Sequence, residues 1–398
     1  MKLLSRTLLV LWVPLALTGC DRPGALPNAP LSQTPPLGLP SVPLPPDSPL
    51  TQDRIELGRT LFMDRRLSHN NTLSCAMCHV PEQGFTSNEL GTAVGLEGQS
   101  IRRNSPTVFN VAYVEQLFHD GREFSLENQA WGPLLAGNEM ANPSIGYVIE
   151  KIKVLPEYAG RFERAFDGRG ANVLTVGQAL AAYERTLISG NSRFDRWRYG
   201  KEPNALTAEE KAGFHLFGGK AGCSVCHVVG EKHALFSDNR FHNTGIGYAH
   251  SMGLPKTHHV QLAPGQFVEV EDKSLDSFEQ PQPDVGRYEV TLDPADSWAY
   301  RTPTLRNVAL TSPYMHDGSI ATLEAVIEFY DRGGIDNLQK DPLLKPLGLS
   351  PDEKKALTSF LRSLTGDNVK KLVAEARAAQ PADTRPEKDP ASIYRRSY

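Results

Sequence analysis

Two copies of one short pattern constrain this chain more than any other feature: "CAMCH" (Cys75, Cys78, His79) and "CSVCH" (Cys223, Cys226, His227). Two thiols about one helical turn apart can add to the two vinyl groups of one porphyrin. The histidine that follows then reaches the iron as its proximal ligand. The chain has five cysteines, and the two motifs use all but Cys20. One zinc ion shared by the two C-x-x-C pairs would leave each following histidine unexplained. Disulfides within pairs this tight would be poor long-loop staples. Two covalent c-type haems account for all six residues.

The rest of the chain reads as mainly α, two cytochrome c-like haem domains with long loops. Few stretches alternate with period two. "DRIELGRTLF" precedes the first motif and "TAEEKAGFHLFGG" the second, the latter opening with Thr207 and Glu210 in capping-box relation. "LGRTLF" and "AGFHLF" form a weak internal repeat, as two related haem modules would. "SPDEKKALTSFLRSL" carries a second capping box, Ser350 with Glu353, and an apolar face of Leu357, Phe360, Leu361 and Leu364. A further helix is expected over 176–189. The Gly/Pro/Asp-rich loops 88–104 and 248–298 suit lids over cofactor edges. The expected division is 51–200 for the first haem domain, 201–366 for the second, and 367–398 for a polar tail.

The N-terminus reads as an export signal. Lys2 and Arg6 precede the apolar "LLVLWVPLAL", which closes in "LTGC". That ending resembles a bacterial lipobox, with 1–19 the signal peptide and Cys20 the lipid attachment point. The proline-dense 20–50 then reads as a tether. The expected location is the periplasm or outer cell surface, held to a membrane by the lipid alone. With a formal net charge of −4 and no long basic run, nucleic-acid binding has no electrostatic support.

One helix poses a question of its own. In "HDGSIATLEAVIEFYDRGG", Leu323, Val326, Ile327 and Tyr330 share an apolar face. A buried tyrosine hydroxyl needs a partner, which is either a backbone carbonyl of the core or something the face is turned toward.

Taken together, "SCAMCH", "RNSPTVFNVAY", "FHDGREFSLENQAWGPLLAGNEM", "GCSVCH" and "RTPTLRNVALTSPYMHDGS" resemble the bacterial dihaem cytochrome c peroxidase and MauG superfamily across nearly all of 51–366. The resemblance implies a first haem that reacts with peroxide, on His79, and a second that feeds electrons or stores oxidising equivalents, on His227. It places Gln129, Pro133 and Glu139 in the distal pocket of the first haem. There a carboxylate can take a proton from peroxide and return it to the leaving oxygen. As ordinary surface helix residues, Gln129 and Glu139 would need no such role. Asn104, Thr311 and Pro313 match a calcium site between the haems, an oxygen-only set that suits a hard cation; "RNSP" and "TSP" are also plain turn formers. Arg301 and Arg306 match propionate-contacting positions.

Three departures set the subtype. Some relatives carry a histidine sixteen positions past the first haem histidine that blocks the iron until reduction; here that position is Gly95. Peroxidases place a methionine fourteen positions past the "PYxH" histidine as distal ligand of the second haem; here Tyr330 stands fourteen past His316, as in MauG-type enzymes, with Met315 and Met252 as rival ligands. The family's "FWDGR" tryptophan, an inter-haem electron relay, is His119 here, with Trp131 nearby. The implied function is a MauG-type oxidase that uses hydrogen peroxide to form high-valent haem and oxidise a partner protein's side chain, tryptophan above all. The MauG-like branch includes methanobactin-associated enzymes. The alternatives are a cytochrome c peroxidase fed by a small redox protein and a non-catalytic dihaem carrier. Many relatives dimerise, so a homodimer is compatible with the resemblance.

Overall fold

The computed structural model describes residues 29–32, 34–252, 257–263, 266–271 and 283–378. Cys20, the apolar leader before it and residues 379–398 lie outside them. The first half runs through α1 (Gln52–Met63), α2 (Cys75–Cys78), α3 (Leu126–Gln129), α4 (Trp131–Leu135), α5 (Ile145–Val154), α6 (Arg161–Ala165), α7 (Val173–Glu184) and α8 (Arg193–Arg198). The second holds α9 (Ala208–Gly218), α10 (Ile246–Ser251), α11 (Tyr288–Thr291), α12 (Leu323–Asp331) and α13 (Pro351–Arg362). A last helix, α14 (Val369–Arg377), returns to the first half. Strands β1 (Phe241–His242), β2 (Thr257–Ala263), β3 (Gln266–Glu271) and β4 (Tyr300–Arg301) form two small antiparallel pairs, β1 with β4 and β2 with β3. The β2–β3 pair lies inside 248–298, a segment that the sequence presents as loop. Among the described residues no helix is long and apolar enough to cross a membrane.

Each half is built on one helix crossing, and the weak internal repeat is its cause. A Cβ at Gly58 of α1 would lie 1.8 Å from the Ala179 carbonyl oxygen of α7. A Cβ at Gly213 of α9 would lie 2.0 Å from the Ala356 carbonyl oxygen of α13. Only glycine allows two backbones to approach so closely. Four residues on, Phe62 and Phe217 leave the same helix faces. Their ring centroids stand 6.4 Å from His79 and 6.5 Å from His227. Each half therefore has its own apolar core, with the haem-motif histidine at its edge.

Helix starts follow their caps. Thr207 Oγ1 accepts from the Glu210 amide at 3.2 Å while the Glu210 carboxylate accepts from the Thr207 amide at 2.9 Å. Ser350 and Glu353 repeat the exchange at 3.2 and 2.7 Å. The helix expected over 176–189 is displaced toward the N-terminus, because the Asn172 side chain caps the amides of Leu174 and Thr175 and starts α7 at Val173.

Two boundaries need correction. The proline-rich stretch is no tether over its last part: residues 34–50 form a strap on the body. Leu39 and Leu50 are buried, and the carbonyls of Leu37, Gly38 and Pro40 accept from the Asn191 amide, the Ala234 amide and the Tyr113 hydroxyl. Proline removes donors but leaves carbonyl acceptors, so such a strap can be held from one side. Nor is 367–398 a polar tail from its start. Val369, Leu372, Val373 and Ala376 make a helical stripe on α14 that packs on the first core, and Arg377 pairs with Glu82 just past the first haem motif.

Candidate active site

The two halves face each other across one cavity of about 900 Å³. α2 is a single turn that carries Cys75 and Cys78, with His79 at its end. The second motif forms a 3₁₀ turn over Cys223–Val225. His79 Nδ1 lies 3.2 Å from the Phe85 carbonyl oxygen and His227 Nδ1 2.9 Å from that of Phe236. A carbonyl can only accept, so Nδ1 carries the hydrogen in both rings and Nε2 keeps its lone pair for a metal. All four thiols are free. Burial, with the Glu184 carboxyl close by, pushes the Cys75 thiol up to about 12; burial takes Cys78 and Cys223 to about 11. The two pairs do not converge. Among the described residues Cys226, Asp238 and His242 are the one group of three or more His, Cys, Asp or Glu atoms gathered within 4.8 Å. The residues present therefore fit two c-type haems.

Gln129 at the end of α3, Pro133 on α4 and Glu139 all line the cavity on the His79 side. The Glu139 amide donates to the Ala136 carbonyl at 2.9 Å, closing a tight loop after α4. Burial raises the Glu139 carboxyl above its ordinary value, and Arg122 opposes that rise. Gly95 backs this loop: a Cβ there would lie 2.0 Å from the Asn138 carbonyl oxygen, and the Leu96 amide donates to the Glu139 carbonyl at 3.0 Å. No side chain fits at position 95, a blocking histidine least of all.

Glu184, which the sequence reading missed, also lines the cavity. It ends an otherwise apolar helix, and that isolation was its signal. Its Oε2 is buried without a hydrogen-bond partner among the described residues. Burial pushes its carboxyl up to about 8, with Arg185 opposing.

On the other side, Tyr330 of α12 faces the cavity that His227 lines. Tyr113, Tyr199, Tyr300 and Tyr314 each donate to a carbonyl, and Tyr158 to the Asp64 carboxylate. Among the described residues the Tyr330 hydroxyl has no such partner, so it is not a carbonyl-bonded core tyrosine. Burial, then Cys223 and Cys226, push its phenol above the ordinary value. Of the rival methionines, Met315 lines the cavity, whereas Met252 is exposed and does not.

Between the two sides, His119 Nε2 donates to the Asn104 carbonyl at 2.8 Å. Burial pushes this imidazole down to about 3, which keeps it a neutral donor. Trp131 is turned away: its indole N–H donates to the Val173 carbonyl at 3.2 Å within the first core. Asn104, Thr311 and Pro313 line the same cavity, and Asn104 Nδ2 donates to the Gly91 carbonyl at 2.9 Å, which leaves the amide oxygen as its other polar end. His316 stacks on Tyr300 with centroids 3.6 Å apart, and Arg103 bridges Asp120 and Asp284 at 2.6 Å each. Of these five, only His316 entered the sequence reading, as the residue from which Tyr330 is counted. His242 is held between Asp341 and Asp238 at 2.6 and 2.9 Å.

Of the two expected propionate contacts, Arg301 lines the cavity and donates to the Phe118 carbonyl at 3.2 Å; burial pushes its guanidinium down to about 10. Arg306 does not line it. Its guanidinium is spent on Asp195, the Gly38 carbonyl and the Ala234 carbonyl, all at 2.6 to 2.9 Å, and it is 2% exposed.

Comparison with known proteins agrees with this geometry. Residues 52–203 match the family described as di-haem cytochrome c peroxidase. The cytochrome-c peroxidase IdrP1 of Denitromonas iodatirespirans is 38% identical over 345 residues, covering 83% of this chain and 86% of that one. The methylamine utilization protein MauG of Methylorubrum extorquens is 37% identical over 330 residues, covering 82% of each. A solved MauG-like protein associated with microbial copper homeostasis superposes with a TM-score of 0.68 at 29% identity, over 89% of this chain and 98% of that one. With such similarity over most of its length, and with both haem motifs facing one cavity, the chain belongs to the dihaem cytochrome c peroxidase and MauG family of enzymes.

Proposed function

We propose that this enzyme uses hydrogen peroxide to oxidise a side chain, tryptophan above all, of a partner protein by long-range electron transfer. The observation that carries this reading is Tyr330: a half-buried phenol facing the cavity of the second haem motif, its hydroxyl unpaired among the described residues, where a thioether would suit an electron-accepting peroxidase. The two haems would supply reduction of peroxide on the His79 side and storage of oxidising equivalents on the His227 side. An oxygen ligand from Tyr330 favours the oxidised states of an iron and lowers its potential. Glu139 would hold and return the peroxide proton, and Gln129 would orient the bound oxygen by hydrogen bond. Pro133 fills the adjacent wall without adding a donor. Arg301 would meet a haem propionate. A calcium ion would be held by the Asn104 amide oxygen and the Thr311 and Pro313 carbonyls. Cys20 would anchor the protein to a membrane on the periplasmic or outer face.

The second reading, a cytochrome c peroxidase supplied by a small redox protein, is favoured by the 38% identity to a peroxidase of that name. One experiment separates the two. Stoichiometric peroxide is added to the diferric holoprotein without reductant, and the ferric resonances are followed by low-temperature electron paramagnetic resonance with the visible and near-infrared spectrum. Loss of both ferric signals supports oxidation of a protein substrate. No reaction until one haem has been reduced replaces it with a reductively activated peroxidase.

A further inference from the structure

The two halves repeat the same glycine-to-carbonyl contact at their helix crossings, but the ring that follows it differs in chemistry. Four residues past Ala179, where α1 crosses α7, stands Tyr183; four past Ala356, where α9 crosses α13, stands Phe360. Phe360 packs on Phe217 with centroids 5.1 Å apart and is enclosed by other phenylalanines. Tyr183 packs edge-on against Phe62 at 5.3 Å, and Phe62 stands 6.4 Å from the His79 ring. The first half thus replaces a wholly apolar contact with a phenol.

That phenol is 3% exposed, and its hydroxyl is buried without a hydrogen-bond partner among the described residues. A buried orphan of this kind is uncommon and costly. It borders a second, half-open cavity of about 260 Å³ between α1, the end of α7 and α14. Arg59 Nε, also unpaired, borders the same cavity. Ile55, Leu187 and Leu372 give it apolar walls. An apolar cavity of about 150 Å³ suffices for benzene. Gln52, Thr186 and Glu375 supply its polar wall; two donors unpaired among the described residues, beside apolar walls in a ring-sized space, suit a single aromatic ring bearing a hydroxyl.

We infer that this cavity is a second donor site, taking a small phenol or hydroquinone, with Tyr183 as the redox relay from it through Phe62 toward His79. The inference rests on the peroxide-driven reading above for its oxidant. Tyr183 loses one electron toward His79 and passes its hydroxyl proton out through the half-open cavity, then recovers an electron and a proton from the bound phenol, which leaves as a phenoxyl radical. Two such turns supply the electrons and protons that reduce one peroxide: H2O2 + 2 ArOH gives 2 H2O + 2 ArO•. Arg59 would donate to the phenol oxygen, and the carbon walls would hold the ring.

The test uses holoprotein and 4-methylphenol. Calorimetry should show binding to the wild type and to Tyr183→Phe, and none to Leu372→Trp, which fills the cavity. Peroxide-driven oxidation of 4-methylphenol should fall at least about tenfold in Tyr183→Phe. Freeze-quenched wild type treated with peroxide alone should show a tyrosyl-type resonance that Tyr183→Phe lacks. Wild-type turnover of 4-methylphenol by Tyr183→Phe overturns the relay, and binding that survives Leu372→Trp overturns the site. Ferric signals that do not respond to peroxide in the wild type remove the oxidant, a failure of the parent reading that is visible separately.

Discussion

Arg306 and Asp195 form a two-pronged ion pair, each guanidinium nitrogen 2.9 Å from its own carboxylate oxygen, with both side chains enclosed. The pair joins three parts of the chain, because Arg306 also donates to the Gly38 carbonyl of the strap at 2.6 Å. Gly38 has φ +88 and no room for a side chain, a Cβ there falling 1.9 Å from Asp195 Oδ1. Removing one partner of such a pair strands the other charge in a dry site, so Arg306→Met should cost about 3–5 kcal/mol. Replacing both, as Arg306→Met with Asp195→Leu, should recover most of that. Urea unfolding of the holoproteins checks both. An Arg306→Met protein of wild-type stability would show that the pair is not what ties the strap down.

Tyr330 controls the second haem in the proposed reading. Tyr330→Met exchanges an oxygen donor for a thioether and should raise that haem's potential on the order of hundreds of millivolts, within the about 0.8 V that axial ligands span. Tyr330→Phe should raise it too, leaving the position without an oxygen donor. Spectroelectrochemical titration reads both. In either variant the ferric signal of the second haem should persist after peroxide treatment. Unchanged potentials would give the ligand position to Met315, the other candidate on the cavity wall.

What was legible in the sequence was local. Haem attachment and the Thr207 and Ser350 capping boxes depend on spacings of a few residues, and the structure keeps each of the caps. The Gly58 and Gly213 crossings showed as a repeat, although the partner carbonyls, more than a hundred residues away, did not. Arg306 was misread because its partner Asp195 is 111 residues distant and nothing near either residue announces the other. The strap was missed for a different reason. Held through carbonyls, it needs no periodic apolar pattern, and proline density alone reads as a spacer. The stripe on α14 was visible in Val369, Leu372, Val373 and Ala376 but was hidden by the polar residues around it.

Glu139 should be the proton carrier of the peroxide step. Glu139→Gln should lower turnover by about 10²–10⁴ with haem content unchanged, the usual weight of a positioned acid–base group. Since burial raises this carboxyl above its ordinary value, the rate should rise with pH through an apparent pKa higher than that of a free glutamate. The Gln variant should lose that limb. Gly95→Ala tests the wall behind it, since the added methyl must push back the Asn138 carbonyl and with it Glu139. It should lower the rate while leaving the second haem's spectrum alone. Stopped-flow kinetics with peroxide separates these outcomes.

Glu184 makes a pH prediction with a definite sign. Its carboxyl titrates near 4.5 in the open chain and near 8 in the fold, so across that window the folded state holds a proton the unfolded state has released. Stability contributed by the neutral carboxyl is therefore complete below the window and is lost as pH rises through it. Glu184→Gln keeps a neutral side chain of the same shape and has no such dependence. The melting temperature of Glu184→Gln minus that of the wild-type holoprotein should grow from pH 5 to pH 9, because titrating groups not coupled to Glu184 cancel in the difference. A constant difference would mean that Glu184 is already ionised in the fold, paired through its neighbour Arg185 rather than held neutral against the first haem site.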